Sequence, residues 1–245
     1  MQNIKLTLEY DGTRYRGFSG KDGADTVSER LKCALSQITE EEPLLFAAVK
    51  TDAGVHASAQ TVNVQLSGAP ETPDTLQRKL NRYLPMDIAV REAVPVPERF
   101  HAALHLTSCT YICRIDTGAV PNPFTRNYCM HLPEALDIER IAEASSLLCR
   151  TLDFAAFSCG RTKKRTVRTL TELTLSSSPE GDELRFILTA DGFLRGMPQR
   201  IVGTLLAVGR GQREVSDIPR ILAGEMPCPI PAPSKAFCLT ETCYL

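Results

Sequence analysis

Apolar and polar positions alternate over residues 4–10, Ile-Lys-Leu-Thr-Leu-Glu-Tyr, with the period of two that a half-buried strand requires. The period lengthens after Asp25-Thr26, where Val27, Leu31, Ala34, Leu35 and Ile38 fall on one face of a helix. An unbroken apolar run from Leu44 to Val49 predicts a buried strand leading into a turn, and alternation resumes at residues 61–66. Thr72-Pro73 opens a second helix through Leu76, Leu80 and Tyr83, with proline in its first turn, and residues 88–90 begin another strand. Beyond residue 100 a similar order returns. Residues 110–116, 154–158, 166–175, 184–190 and 237–244 read as strands, and 138–148 and 201–208 as helices.

This order predicts an α+β chain of two halves with largely antiparallel sheets. No residue-level repeat links the halves, so any duplication is architectural. Val94-Pro95-Val96-Pro97 is the candidate linker, which sets the expected domains at 1–97 and 98–245.

The chain has 245 residues, enough for one large domain or two modest ones, each with its own core. No apolar run approaches the length of a membrane span, and residues 1–5 lack a signal-peptide layout, so a cytoplasmic protein is expected. Nine cysteines are scattered without a C-x-x-C pair or zinc-ligand spacing. They read as reduced thiols, several of them in the core, and no metal is expected. A formal net charge of -1 offers a polyanion no general attraction. Positive charge is concentrated locally, at residues 161–168 and at Arg195, Arg200, Arg210 and Arg213. Such a set reads either as a nucleic-acid footprint or as solvated surface.

The most informative chemistry lies in Lys50-Thr51-Asp52-Ala53-Gly54-Val55-His56-Ala57. A carboxylate follows the apolar run, and Gly54 supplies permissive dihedrals and a bare backbone. A rigidly held acid of this kind suits catalysis by a single carboxylate. The same pattern suits an aspartate that merely caps a turn, and the octet alone leaves both readings open.

The octet resembles the R-T-D-A-G-V-H-A signature of the TruA family, the tRNA pseudouridine synthases of the anticodon arm. Further matches follow in the same order along nearly the whole chain. Residues 10–18, Y-D-G-T-R-Y-R-G-F, are similar to the family's Y-D-G-T-x-Y-x-G-W, and residues 80–88, L-N-R-Y-L-P-M-D-I, to L-N-x-x-L-P-x-D-I. Phe100-His101-Ala102 resembles F-H-A, and residues 110–115 resemble the tyrosine-bearing strand after it. Residues 153–157 and 166–169 resemble D-F-x-A-F and V-R-T, and residues 192–211 resemble the family's late G-F-L and I-V-G-T-L-L stretch. Each match is weak alone; together and collinear they are specific.

The resemblance implies two α+β halves of pseudouridine-synthase type, with abutting, mainly antiparallel sheets around a central RNA-binding cleft. It implies isomerisation of uridine to pseudouridine in the tRNA anticodon stem-loop, at about nucleotides 38, 39 and 40, on bases flipped out of their stack. Asp52 becomes the catalytic nucleophile. Tyr111 lies against the target base, with a core aromatic as its alternative role, and Lys50, His56 and Arg200 are substrate contacts. For His56 a structural turn histidine is an equal alternative. No cofactor or metal is implied, the partner is tRNA, and the assembly is a homodimer.

Departures from the family pattern accompany the matches. The family's arginine two residues before the aspartate is Lys50, which keeps the charge but lacks the planar fork. In the late stretch M-V-R-N becomes Met197-Pro198-Gln199-Arg200, so the arginine that pairs with the aspartate falls on Gln199. Arg200 is one helical step, about 100°, away. Cys109, Cys113 and Phe18-Ser19 are further exchanges. They favour a divergent member, with a tRNA-binding paralogue of lost or altered activity as the alternative. An aspartate-dependent nucleoside hydrolase is a third reading, weakened because no second matched carboxylate accompanies Asp52.

Overall fold

The computed structural model describes residues 2–21, 23–67, 72–160, 165–178 and 182–245; the basic residues 161–164 lie outside them. The chain divides into two compact units, Met1–Thr107 with Cys238–Leu245, and Ser108–Phe237.

In the first unit β1 (Gln2–Tyr10) leads to α1 (Val27–Thr39), β2 (Leu44–Ala47), β3 (His56–Leu66), α2 (Pro73–Tyr83) and β4 (Ile88–Val96). Strand β1 is flanked antiparallel by β3, with Ile4 opposite Val64, and by β4, with Leu6 opposite Ala93. The predicted helices form where their caps stand. Thr26 accepts from the Glu29 amide at 3.3 Å, and Glu40 closes α1 in the left-handed region. Thr72 caps α2 with Pro73 in its first turn. Leu31, Leu35, Leu76 and Leu80 are buried.

Two expectations for this unit change. The apolar run 44–49 yields a strand of only Leu44–Ala47, paired to β3 alone, with Leu44 half exposed. The Val94–Pro97 segment is no linker: β4 runs through Val96, and Pro95 lies opposite Ile4 on an edge strand, where a missing N–H is tolerated. The chain beyond it is clamped by a buried amide pair. Asn3 donates through Nδ2 to the carbonyls of Pro97, Glu98 and Phe100, while Asn63 donates to Asn3 and accepts from the Ala102 amide at 2.8 Å. Residues 98–107 therefore continue the first unit.

The second unit holds β5 (Leu106–Asp116) from Ser108 onward, β6 (Met130–His131), α3 (Ile138–Leu148), β7 (Thr151–Asp153), β8 (Val167–Ser177), β9 (Glu183–Ala190), α4 (Met197–Gly209) and α5 (Asp217–Leu222). Strands β5, β9, β8 and β7 are neighbours in that order, all antiparallel, and β6 pairs parallel to β5. Residues 154–158, expected as a strand, form a 3-10 turn at Ala155–Phe157. Phe154 and Phe157 are three apart, so a tight turn puts both rings on one side, 5.9 Å apart and fully buried. Helix α4 begins at Met197, with Pro198 in its first turn, rather than at residue 201. Every residue of α4 except Arg200 is buried, which explains its apolar sequence. The closing strand β10 (Phe237–Tyr244) returns to the first unit and pairs parallel to β3, with Cys238 opposite His56. Both units are thus mixed α and β with mainly antiparallel strands.

Candidate active site

The octet 50–57 is a turn fixed from several sides. Val55 N–H donates to the Asp52 carbonyl at 3.1 Å, closing a four-residue turn in which Gly54 takes φ 77°. Thr51 is buried, and its hydroxyl shares a 2.7 Å hydrogen bond with the buried Tyr10 hydroxyl. Burial raises the Tyr10 pKa well above the usual phenol range, so this phenol stays neutral. The Thr51 carbonyl accepts from Phe18 N–H at 3.0 Å, and Gly54 N–H donates to the Tyr15 carbonyl at 3.2 Å. Asp52, between these anchors, is half-buried, Ala53 is exposed and Lys50 is exposed.

Residues 10–18 supply most of those anchors, and their glycines are there for room. A Cβ on Gly12 would stand 2.0 Å from the Val55 carbonyl oxygen, and one on Gly17 2.6 Å from that of Thr51. Neither position has space for a side chain, and Gly17 also takes φ 99°. His56 joins the same packing. Its ring is buried, with Nδ1 3.0 Å from the Gly12 amide and 3.2 Å from Asp11 Oδ1. An amide can only donate, so Nδ1 is the acceptor, and the Asp11 contact is no ion pair in that tautomer. Residues 80–88 complete the frame. Asp87 accepts from the Tyr15 hydroxyl at 2.6 Å and from Arg14, its carbonyl accepts from Asp11 N–H, and Asn81 pairs with both backbone groups of Val90. Burial and the Asp87 bond push the Tyr15 pKa up to about 12.

In the second unit Tyr111 lies on β5, 5% exposed, its ring edge-on to Phe193 at 5.3 Å. Arg200 points its guanidinium at sulfur: Nη2 lies 3.7 Å from Cys159 Sγ, and Cys159 and Cys228 together raise its pKa. Arg200 Nε is buried without a hydrogen-bond partner among the described residues. Gln199 is buried, its carbonyl accepting from Ala232 N–H, and Arg195 is exposed. Among the described residues no group of His, Cys, Asp and Glu is arranged to hold a metal ion, and no helix is long and apolar enough to cross a membrane.

The sequence reading missed the frame around the turn. Tyr10, Gly12, Gly17 and Asp87 were visible only as motif letters, and Asn3 and Asn63 carried no signal. A family model described as tRNA pseudouridine synthase matches residues 7–103 and 144–244. The chain belongs to the tRNA pseudouridine synthase family. It is 36% identical to a tRNA pseudouridine synthase A 2 of Clostridium perfringens and 36% identical to a tRNA pseudouridine synthase A of Acetivibrio thermocellus, each over 100% of both chains. It is 37% identical to a tRNA pseudouridine synthase A of Bacillus sp. (strain KSM-64) over 91% of each. Lys50, Asp52 and His56 fall in the first matched stretch of this pseudouridine synthase and Gln199 and Arg200 in the second, while Tyr111 falls between them.

Proposed function

We propose that the protein isomerises uridine to pseudouridine in tRNA, within the anticodon stem-loop, with Asp52 as the nucleophile. The supporting observation is the turn itself: a half-exposed carboxylate whose backbone is held by Phe18, Tyr15, Val55 and the Tyr10–Thr51 bond. A pre-positioned carboxylate is what the chemistry demands. In the proposed sequence the Asp52 carboxylate bonds to C1′ of the ribose as the bond from C1′ to N1 breaks. The freed uracil turns, C5 bonds to C1′ and displaces the carboxylate. C5 then loses its proton and N1 gains one, so product and substrate have the same atoms and no redox partner is consumed.

Lys50, exposed beside the turn, is assigned to a tRNA phosphate, where an ammonium acts as a point charge. Tyr111 is assigned to the target base and Arg200 to the RNA backbone. For His56 we adopt the structural of its two roles, since its ring is buried and receives the Gly12 amide proton. The protein is taken to act in the cytoplasm as a homodimer. A tRNA-binding paralogue without turnover is the second reading, favoured by Lys50 and by the buried Gln199 where the family pattern has arginines.

Asp52→Asn separates the two readings. Conversion of anticodon-arm uridines in a tRNA transcript should vanish, while melting temperature and tRNA affinity stay near those of the parent. A variant that still forms pseudouridine removes Asp52 from the mechanism; a parent protein that binds tRNA but converts none of it establishes the paralogue.

A further inference from the structure

The loop from Thr117 to Cys129, between β5 and β6, exposes apolar side chains on a backbone that is tied down. Asp116 anchors it, with one carboxylate oxygen accepting from Gly118 N–H at 3.0 Å and the other from Asn122 N–H at 3.1 Å. Asn122 Oδ1 accepts from Phe124 N–H at 2.9 Å, Tyr128 and Cys129 N–H both donate to the Thr125 carbonyl, and His131 Nε2 lies 2.8 Å from the Gly118 carbonyl. At the tip of this frame Phe124 is 90% exposed and Val120 79% exposed. A phenyl ring presented on a loop already fixed by its own hydrogen bonds loses little further freedom when a ligand stacks on it, which suits a docking surface.

The surroundings say which occupant. Exposed Arg126 donates to the Pro123 carbonyl at 2.8 Å, keeping its guanidinium over the loop, and exposed Lys235 donates to the Arg126 carbonyl at 2.7 Å. An aromatic face flanked by two cations is the pattern that grips an unpaired nucleotide, the ring stacking on the base and the cations meeting adjacent phosphates. We propose that Phe124, Arg126 and Lys235 form a docking site for an unpaired nucleotide of the tRNA. The proposal rests on tRNA being the substrate, and it adds a contact that is independent of the Asp52 turn. The charge complement selects RNA over a second copy of this chain, whose patch would bring the same cations face to face.

The test is binding of an unmodified tRNA transcript by fluorescence anisotropy across a salt series. Phe124→Ala should weaken Kd about tenfold, as loss of one stacked base does, and Phe124→Trp should restore it. A protein carrying both Arg126→Gln and Lys235→Gln should lower the slope of log Kd against log salt by about 1.4, at roughly 0.7 for each single-strand phosphate. Because these side chains are exposed, their loss leaves the fold intact, which circular dichroism verifies. Parent-like Kd and salt slope in all variants overturn the proposal. So does a Phe124→Ala protein whose oligomeric state changes in light scattering, since the patch would then join two copies. A parent protein that binds no tRNA at all overturns the functional reading itself, and this site with it.

Discussion

Gly17→Ala isolates how the turn that carries Asp52 is held. The new Cβ would stand 2.6 Å from the Thr51 carbonyl oxygen and 3.3 Å from both Ala53 N and the Asp52 carbonyl carbon, where ordinary contact begins near 3.4 Å. The Thr51 oxygen cannot swing aside freely, because it accepts the Phe18 amide. Two costs arise. The left-handed conformation at φ 99° costs an L-residue about 1–2 kcal/mol, and overpacking costs about 1–3 kcal/mol more. Together they amount to about 2–5 kcal/mol if the turn stays in place. If it moves instead, a shift of about 1 Å at Asp52 is worth about 100-fold in rate. Gly23→Ala is the control, since Gly23 shares a positive φ of 77° but a Cβ there meets nothing within 4 Å. Single-turnover release of tritium from C5 of labelled uridine reads the turn, and thermal melting reads the strain. Gly17→Ala should lose about 10- to 100-fold in rate with little change in tRNA affinity, whereas Gly23→Ala should lose only about 1–2 kcal/mol of stability and no rate. Indistinguishable behaviour of the two variants in both assays would refute the steric account.

Asn63→Ala strips a buried site of its polar centre, leaving the Ala102 amide and Asn3 Oδ1 without their partner. At about 1–3 kcal/mol for each of the two orphaned groups, the unfolding free energy should fall by about 2–6 kcal/mol, read as a lower urea midpoint at an unchanged m-value. Glu183 gives a pH dependence. Burial raises its pKa, but hydrogen bonds from Arg114 and Arg185 win and hold it below the usual carboxylate value. Its folded pKa is depressed, so its contribution is complete above the unfolded value near ~4.3 and fades as pH falls through the folded value. With Arg114 partly exposed, the contribution is about 1–2 kcal/mol. Differential melting of the parent and Glu183→Gln should show a constant gap at neutral pH that closes in acid; a gap that widens in acid would contradict the sign.

Legibility followed the range of each interaction. Helix α3 was predicted at its observed bounds because its cap and its period are both local: Asp137 accepts from Arg140 N–H, and Ile141, Ala144 and Leu148 recur on the buried face. The two-residue β6 and the six-residue α5 are too short to show a period, and Phe154-Ala155-Ala156-Phe157 was misread because four residues do not separate alternation from a tight turn. Asn3 and Asn63 were invisible for another reason. Their partners stand 39 to 97 positions away, and in an alternating strand a polar letter reads as outward. At the candidate site the carboxylate was legible from its motif. The surroundings of Arg200 were not, since Cys159 and Cys228 lie 41 and 28 positions from it.

The motif spacing also acquires a physical meaning. Residues 10–18, 50–57 and 80–88 interlock within one unit, through Gly12 and Gly17 against the octet's backbone and Asp87 against Tyr15, Arg14 and the Asp11 amide. Tyr10, Gly12, Tyr15, Gly17, Thr51, His56 and Asp87 in those three stretches hold the turn, so a shared alphabet at these positions reflects steric demand as well as chemistry. The two departures from the family pattern then differ in kind. Lys50 is exposed, and exchanging one long cation for another there alters what a ligand meets while leaving the packing alone. Gln199 is 6% exposed within a helix that is otherwise buried except at Arg200. An arginine at 199 would carry a charge into that interior and require a carboxylate to meet it; glutamine removes the charge, and the next residue carries it at the half-exposed edge of α4 beside two thiols. A guanidinium beside thiols sits in a different chemical setting from one paired with a carboxylate, so Gln199 and Arg200 together change the chemistry of this helix start as well as its charge.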